Sequence, residues 1–335
     1  MISISRLLIL STMLCLAASG AAQAVCQGHD LFPVLKSQAP AAYAAIEAAA
    51  SAMPFRYGKL FRLSRAGTEP SYLFATLHLS DPRVITFAPA VRDAIAHSKI
   101  VLLETIETGE VLRRAIAKNP AAWRRAILAR EDERAGRLLS KADFAELEAY
   151  VARRGFAESA AREFKPSTLS FLLDQPDCAP RGPQANPYVD KMVADLAREN
   201  KVETAGLESM AEQLDVPNGL PRETGRDLLV AVLRQAEHGA DVAETAIERY
   251  REGDIGGLLA WMRSEEPIPG VPQAQIPPAF LDRLITFRNV RMRERALPYL
   301  SQGGAFIAVG AAHLPGREGL LSLFEKEGYR IERLE

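Results

Sequence analysis

The sequence predicts an α/β fold: a central mixed, largely parallel sheet with helices and large helical insertions. Three observations predict it. Short apolar runs at Ser71–Leu77, Ile100–Leu103, Val202–Leu207 and Ala305–Val309 read as strands, and helical stretches separate them; strands alternating with helices make α/β layers. Two stretches, at about 109–173 and 210–264, are helical by pattern and too long for simple crossovers, so they read as insertions on the sheet. Apolar residues are 48% and charged residues 25% of the 335, which supplies a core and argues against disorder over most of the chain.

The elements follow in order. Residues 1–24 carry Arg6, an apolar run from Leu7 to Ala18 and the small-x-small site Ala22-Gln23-Ala24. That is the pattern of a secretory signal peptide, and the run is too short to span a bilayer. Residues 25–335 read as a single domain, because no linker divides them. Residues 40–53 form a helix by propensity, ended near Pro54. The runs 59–65 and 71–78 flank Ala66-Gly67-Thr68-Glu69-Pro70 as a hairpin. Residues 88–98 are helical, with Ala90, Val91, Ala94 and Ile95 at helical spacing. Residues 109–163 are charged, alanine-rich and helical. Asp174–Pro187 holds four prolines and is a loop, with Asn186 and Pro187 opening a helix through about Asn200. Residues 223–264 are mostly helix. Glu266–Pro278 has five prolines and is a second loop. Residues 279–300 form one helix, Glu318–Glu327 another, and Tyr329–Leu334 a final strand.

Charge narrows the function. Lys+Arg number 41 and Asp+Glu 42, for a net charge of −1. A nucleic-acid partner is not expected from such a balance. Nothing after the leader approaches 18 uninterrupted apolar residues, so no stable membrane insertion follows signal cleavage, and the expected location is periplasmic or secreted. Beyond the leader's Cys15 the cysteines are Cys26 and Cys178. In an oxidising compartment these two predict one disulfide.

The informative pattern is where the strands end. The four apolar runs stop at His78, Glu104, Glu208 and His313. Sites in open α/β sheets lie at the carboxyl ends of the strands. Two imidazoles and two carboxylates gathered at one edge could hold a divalent metal and leave a position for water. The segments Ala75-Thr76-Leu77-His78-Leu79 and Gly310-Ala311-Ala312-His313-Leu314 also resemble each other, a weak internal duplication. His29, His97 and His238 stand in loop or helix-surface contexts and read as structural or solvated. A GxSxG elbow and an HExxH pair are both missing from the sequence, so serine-hydrolase and thermolysin-like chemistry lack their motifs.

These residues resemble the TraB/GumN family, which is related to the Tiki metalloproteases and more distantly to the ChaN and erythromycin-esterase group. The family's two GxxH motifs match Ala75-Thr76-Leu77-His78 and Gly310-Ala311-Ala312-His313. Its glutamate after the next strand matches Glu104. Its GLE followed by Gln matches Gly206-Leu207-Glu208 and Gln213, its RN matches Arg288-Asn289, and an early-helix aspartate matches Asp190. The resemblance runs from about Pro54 to Leu334. One position departs: Ala75 stands where the family has glycine, which raises the question of a positive φ or a close backbone approach there.

The resemblance implies a metal-dependent hydrolase acting on peptide or ester bonds. The expected ligands are His78 and His313 with Glu208 or Glu104, the other carboxylate serving as general base. The expected cofactor is a divalent metal ion: manganese, cobalt or zinc. Arg288 is expected to grip a substrate carboxylate or an oxyanion, Asn289 to use its side chain in the site, and Asp190 to orient a histidine from behind. The partner is a small-molecule or peptide substrate, and the oligomeric state stays open. Two alternatives use the same scaffold without turnover: a haem- or ligand-binding protein, and an accessory of envelope or polysaccharide assembly. The stretch 109–173 holds no His or Cys and is expected to border the site without supplying its chemistry.

Overall fold

The structure is a computed structural model, which describes residues 27–173, 188–264, 269 and 278–335. The leader, Cys26, Cys178, the loop at 174–187 with its Asn186–Pro187 cap, and almost all of the second proline-rich loop lie outside the described residues.

Six strands form one sheet: β1 (Leu60–Ser64), β2 (Ser71–Thr76), β3 (Ile100–Leu103), β4 (Glu203–Gly206), β5 (Ala305–Gly310) and β6 (Arg330–Arg333), in the spatial order β4-β3-β5-β2-β1-β6. The first four in that order are parallel, β1 is antiparallel to β2, and β6 is antiparallel to β1. The fold is therefore α/β with a mixed, mostly parallel sheet. Strand β5 lies between two parallel neighbours, so both of its faces are covered. Ala305, Phe306, Ile307, Ala308 and Val309 are all fully buried, which is why this strand reads as a continuous apolar run. Gly67, at φ +77°, makes the hairpin turn between β1 and β2.

The helices are α1 (Leu31–Gln38), α2 (Pro40–Ser51), α3 (Pro82–Ile85), α4 (Pro89–Ala96), α5 (Gly109–Lys118), α6 (Pro120–Ile127), α7 (Ala135–Leu138), α8 (Lys141–Arg153), α9 (Ser159–Glu163) and α10 (Pro166–Leu173), followed by α11 (Val189–Glu199), α12 (Met210–Asn218), α13 (Arg222–Gln235), α14 (Gly239–Arg251), α15 (Ile255–Met262), α16 (Pro278–Leu281), α17 (Arg288–Gln302) and α18 (Leu320–Lys326). Helices α4, α11, α17 and α18 contribute their apolar faces to the sheet's core, through residues such as Val91, Val193, Met292 and Phe324. Helices α7–α10 and α13 share a separate core of Leu147, Tyr150, Val151, Leu169, Leu173 and Leu229. Helices α7–α10 thus pack mainly on one another and on α13, not on the sheet, whereas α14 and α15 reach the sheet's core through Ile247, Tyr250 and Ile255. A third small core joins α1, α2 and α15 around Leu35 and Ile46.

Three features differ from the sequence reading. Helices α1 and α3 were not expected, although Asp30 caps the first by accepting from Phe32 N–H at 3.0 Å and Asp81 the second by accepting from Arg83 N–H at 2.9 Å. The single helix expected over 279–300 is interrupted: Asp282–Phe287 is π-helical, and α17 begins at Arg288. A π segment widens each turn and often marks a functional site; here it ends directly before Arg288-Asn289.

Behind the carboxyl end of the sheet, Glu212 ties three elements together. It closes a capping box with Ser209 at the start of α12. It also receives both Nη groups of Arg295, whose Nη1 donates to Leu207 O at 2.7 Å. The hydrogen bonds from Arg295 hold the Glu212 carboxyl down to about 2, against an opposing desolvation. A carboxyl depressed on folding contributes stability above its ordinary range near 4.5, and loses that contribution as pH falls toward 2. Glu212→Gln should therefore be less stable than the parent at pH 7, with the gap closing between pH 4.5 and 2; urea midpoints across that range measure it.

Candidate active site

Each of the four strand ends places one predicted side chain at the same edge of the sheet. Because the spatial order is β4-β3-β5-β2, the residues that follow the strands run in the order Glu208, Glu104, His313, His78. Parallel strands stand about 4.8 Å apart, so β4 and β2 are separated by about 14 Å. This order decides which pairs can meet. Glu104 and His313 are neighbours, and Glu208 is cut off from the imidazoles by Glu104.

The centre of the cluster is Gly310, the last residue of β5. Its N–H donates to Glu104 Oε1 at 2.7 Å. A Cβ at this glycine would lie 3.0 Å from Glu104 Oε1, 3.6 Å from His78 Nε2 and 3.6 Å from His313 Cδ2. The carboxylate and both imidazoles therefore converge on one small volume that only glycine leaves open. His313 Nε2 is itself 3.7 Å from Glu104 Oε1.

Each imidazole is held from behind. His78 Nδ1 lies 2.9 Å from Asp190 Oδ2, and Asp190 Oδ1 accepts from Thr76 Oγ1 at 2.8 Å. His313 Nδ1 lies 2.7 Å from Asn289 Oδ1, while Asn289 Nδ2 donates to Glu318 O at 2.8 Å. A carboxamide whose nitrogen is committed to a carbonyl can offer only its oxygen to His313. The proton of His313 is thus on Nδ1, and Nε2 carries the lone pair facing Glu104.

The two histidines are electrostatically opposite. His313 is buried, at 4% exposure, and desolvation, followed by the nearby Arg288 charge, pushes it down to about 3. At His78 desolvation also lowers the pKa, but the Asp190 carboxylate outweighs it and lifts it to about 9. The His78 side chain is half-exposed and its ring stands edge-on to Tyr188 with centroids 6.1 Å apart, so the cluster opens to solvent at His78.

Arg288 organises the carboxylate half. Its Nε donates to Glu208 Oε2 at 2.8 Å, its Nη2 bridges Glu208 Oε2 and Glu104 Oε2, and its Nη1 reaches Leu284 O at 3.3 Å. Gln213 Nε2 adds a bond to Glu104 Oε2 at 3.3 Å, and Arg291 Nη1 lies 3.1 Å from Glu208 Oε1. Burial works against the charge of Glu104, yet Arg288 and the two histidines hold its carboxyl well below the usual range. Arg288 is kept charged by both carboxylates despite its own burial.

These positions redistribute the expected roles. Glu208, expected as a metal ligand, has a fully buried side chain with both oxygens on arginines. Arg288, expected to grip substrate, has its donors engaged within the protein. Glu104 is the carboxylate that faces the imidazoles. Ala75 lies in ordinary strand conformation, fully buried, and its carbonyl accepts from Tyr250 OH at 2.9 Å. It is not among the positive-φ residues. The sheet register sets Thr76, not Ala75, beside Gly310. Thr76, Tyr188 and Arg291 were not singled out from sequence. Thr76 sits inside the first motif, and its hydroxyl was the available signal. His29, His97 and His238 take no part: His29 pairs with Asp241, and His97 Nδ1 contacts Asp93 O.

Among the described residues, no group of three or more His, Cys, Asp or Glu side chains forms a ready-made metal site. The donor chemistry itself fits a cation that displaces the proton of His78, since a ligating imidazole is neutral. One Nε2 lone pair, a second Nε2 whose imidazole is oriented by Asp190, and one carboxylate oxygen face a common volume, with Nδ1 groups fixed from behind as in metal-bound histidines. Among the described residues no helix is long and apolar enough to cross a membrane.

The chain is similar to two curated proteins. The human "Metalloprotease TIKI1" is 28% identical over 167 residues, covering 44% of this chain and 33% of that protein. A "Metalloprotease TIKI homolog" from Nematostella vectensis is 23% identical over 314 residues, covering 79% of this chain and 65% of its own length. The chain thus spans about a third and about two thirds of these relatives. No solved structure matches it. The TraB/PrgY/gumN family model matches residues 59–333, from the first strand of the sheet to the last, and the chain belongs to that family.

Proposed function

We propose that this protein is a metal-dependent hydrolase of peptide bonds, exported from the cytoplasm to the periplasm or the medium. The observation that carries the reading is the convergence of His78 Nε2, His313 and Glu104 Oε1 on the space beside Gly310. His78 and His313 would hold a divalent ion through Nε2, with Glu104 Oε1 as third donor. Such an ion, when bound, supplies Lewis-acid polarisation of a carbonyl and a more acidic water.

The chain's own residues do the rest. Asp190 and Asn289 fix the rings so that Nε2 points inward. Arg288 holds the far oxygen of Glu104, Glu208 balances Arg288, and Arg291 holds the other oxygen of Glu208. The Gly310 N–H keeps Glu104 Oε1 turned toward the imidazoles. Substrate enters past Tyr188, where His78 is half-exposed. The names of the relatives support peptide as the substrate class, and the leader pattern at residues 1–24 supports export.

The test is hydrolysis of a quenched-fluorescence peptide mixture by purified protein. Chelation should abolish the rate, and manganese, cobalt or zinc should restore it. Glu104→Gln keeps an oxygen and the shape but loses the charge, and should lower the rate by about 100-fold or more. Hydrolysis that survives both chelation and Glu104→Gln would overturn the proposal. A stable fold with no rate under any metal would favour the accessory reading.

A further inference from the structure

We infer that the Tyr188 hydroxyl is the donor that stabilises the anionic oxygen formed when a peptide carbonyl is attacked beside His78. This deepens the hydrolase reading and rests on it for the reaction.

Peptide hydrolysis calls for such a donor. A water oxygen bonds to the carbonyl carbon, and the C=O π pair moves onto the carbonyl oxygen, which becomes anionic. On collapse that pair re-forms C=O, the C–N bond breaks, and the leaving amine takes the proton that the water gave up. An O–H or N–H already aimed at the oxygen speeds the reaction, because the full charge is present only at and around the transition state. The donor keeps its own proton throughout.

The cluster leaves few groups for this task. Arg288, the residue expected to grip an oxyanion, has Nε on Glu208, Nη2 on both carboxylates and Nη1 on Leu284 O. Arg291 donates to Glu208, Gln213 Nε2 and the Gly310 N–H to Glu104, and Asn289 Nδ2 to Glu318 O. The donors around the two carboxylates and His313 are thus committed within the protein.

Tyr188 is placed to supply the one that is lacking. It directly precedes α11 and stands two residues before Asp190, so the helix start that holds His78 Nδ1 also sets the tyrosine. Its ring stands edge-on to the His78 ring, with centroids 6.1 Å apart and planes at 70°, a favourable arrangement for two aromatic rings. The side chain is 38% exposed, on the side where the cluster opens at His78. It also lines a cavity of about 580 Å³ together with Thr105, Ile106 and Asp190, which gives a peptide room to lie against it. Among the described residues its hydroxyl has no hydrogen-bond partner. Burial, and after it the Asp190 and Glu104 carboxylates, push the phenol above its ordinary range. It therefore stays protonated and able to donate, and both of those carboxylates belong to the cluster.

The test compares Tyr188→Phe with the parent, both loaded with cobalt(II). The variant keeps the ring against His78 and loses only the hydroxyl. The kcat for a quenched-fluorescence peptide should fall by about 100-fold, the cost of removing one oxyanion donor. KM should change little, because the hydrogen bond strengthens only after attack. Affinity for a phosphinic peptide, whose PO2 group copies the tetrahedral adduct, should fall by about tenfold or more, as loss of a hydrogen bond to a charged group implies. The cobalt d–d absorption and the thermal midpoint should match the parent, which separates donation to substrate from support of His78. Unchanged kcat, unchanged phosphinic-peptide affinity, or a cobalt spectrum altered by the substitution would overturn the assignment. A parent that bound the phosphinic peptide through Tyr188 yet cleaved no peptide would overturn the hydrolase reading and uphold the hydroxyl as the donor to the tetrahedral anion. A parent whose hydrolysis survived Tyr188→Phe undiminished would do the reverse.

Discussion

Arg288→Met should be the most destabilising single substitution at the candidate site, costing about 3–5 kcal/mol in denaturant unfolding, the range for removing one partner of a buried ion pair. Arg288 is 7% exposed and lies between Glu104 and Glu208, at 6% and 4%. Without the guanidinium, two buried carboxylates face each other with Gln213 and the Gly310 N–H left on one and Arg291 on the other. Methionine fills much of the volume but neutralises neither. Arg288→Lys should fail almost as badly, because an ammonium on a flexible stem cannot span two carboxylates as a planar fork does. Pairing Arg288→Met with Glu208→Leu should recover part of the loss, because the second change removes one of the stranded charges. A loss well under 1 kcal/mol for Arg288→Met would mean that the network is not formed in solution.

Gly310→Ala should reduce peptide hydrolysis and metal affinity by about 100-fold, the scale on which small displacements of site groups act, and cost about 1–3 kcal/mol of stability, as overpacking does. The new Cβ would press at 3.0 Å on Glu104 Oε1, and Glu104 cannot retreat because Arg288 and Gln213 hold its other oxygen. The matching change in the first motif behaves differently. Ala75→Gly restores the family's glycine, yet Ala75 needs neither a positive φ nor open space. It should cost about 0.5–1 kcal/mol of stability, as glycine does inside a strand, and leave the rate unchanged. The contrast between these two substitutions separates a glycine required by close approach from one that is not. Equal kinetic effects would contradict the geometry.

The strands and their polar endings were legible in the sequence because each is a local pattern. Ile100–Leu103 is continuous because β3 lies between β4 and β5, and the turn at Ala66–Pro70 gave the hairpin. The roles of Glu208 and Arg288 were not legible, because they depend on strand order. Nothing near Val202–Leu207 says that β4 lies outside β3, or that β5 inserts between β3 and β2. That order alone decides that Glu104, not Glu208, meets the imidazoles. The π-helical turn at Asp282–Phe287 was equally hidden, since its residues carry an ordinary helical pattern. Asp190 was visible as an early-helix acid, but its place behind His78 depends on α11 packing against the end of β2.

In the proposed site His78 and His313 act together on one ion. A titration of the metal-free protein with cobalt(II), followed through its visible d–d absorption, tests it most directly. About one equivalent should bind with imidazole-type absorption, lost in both His78→Ala and His313→Ala and kept in His97→Ala, with all variants folded by circular dichroism. Cobalt bound equally by the parent and both site variants, or not bound by the parent at all, would contradict it.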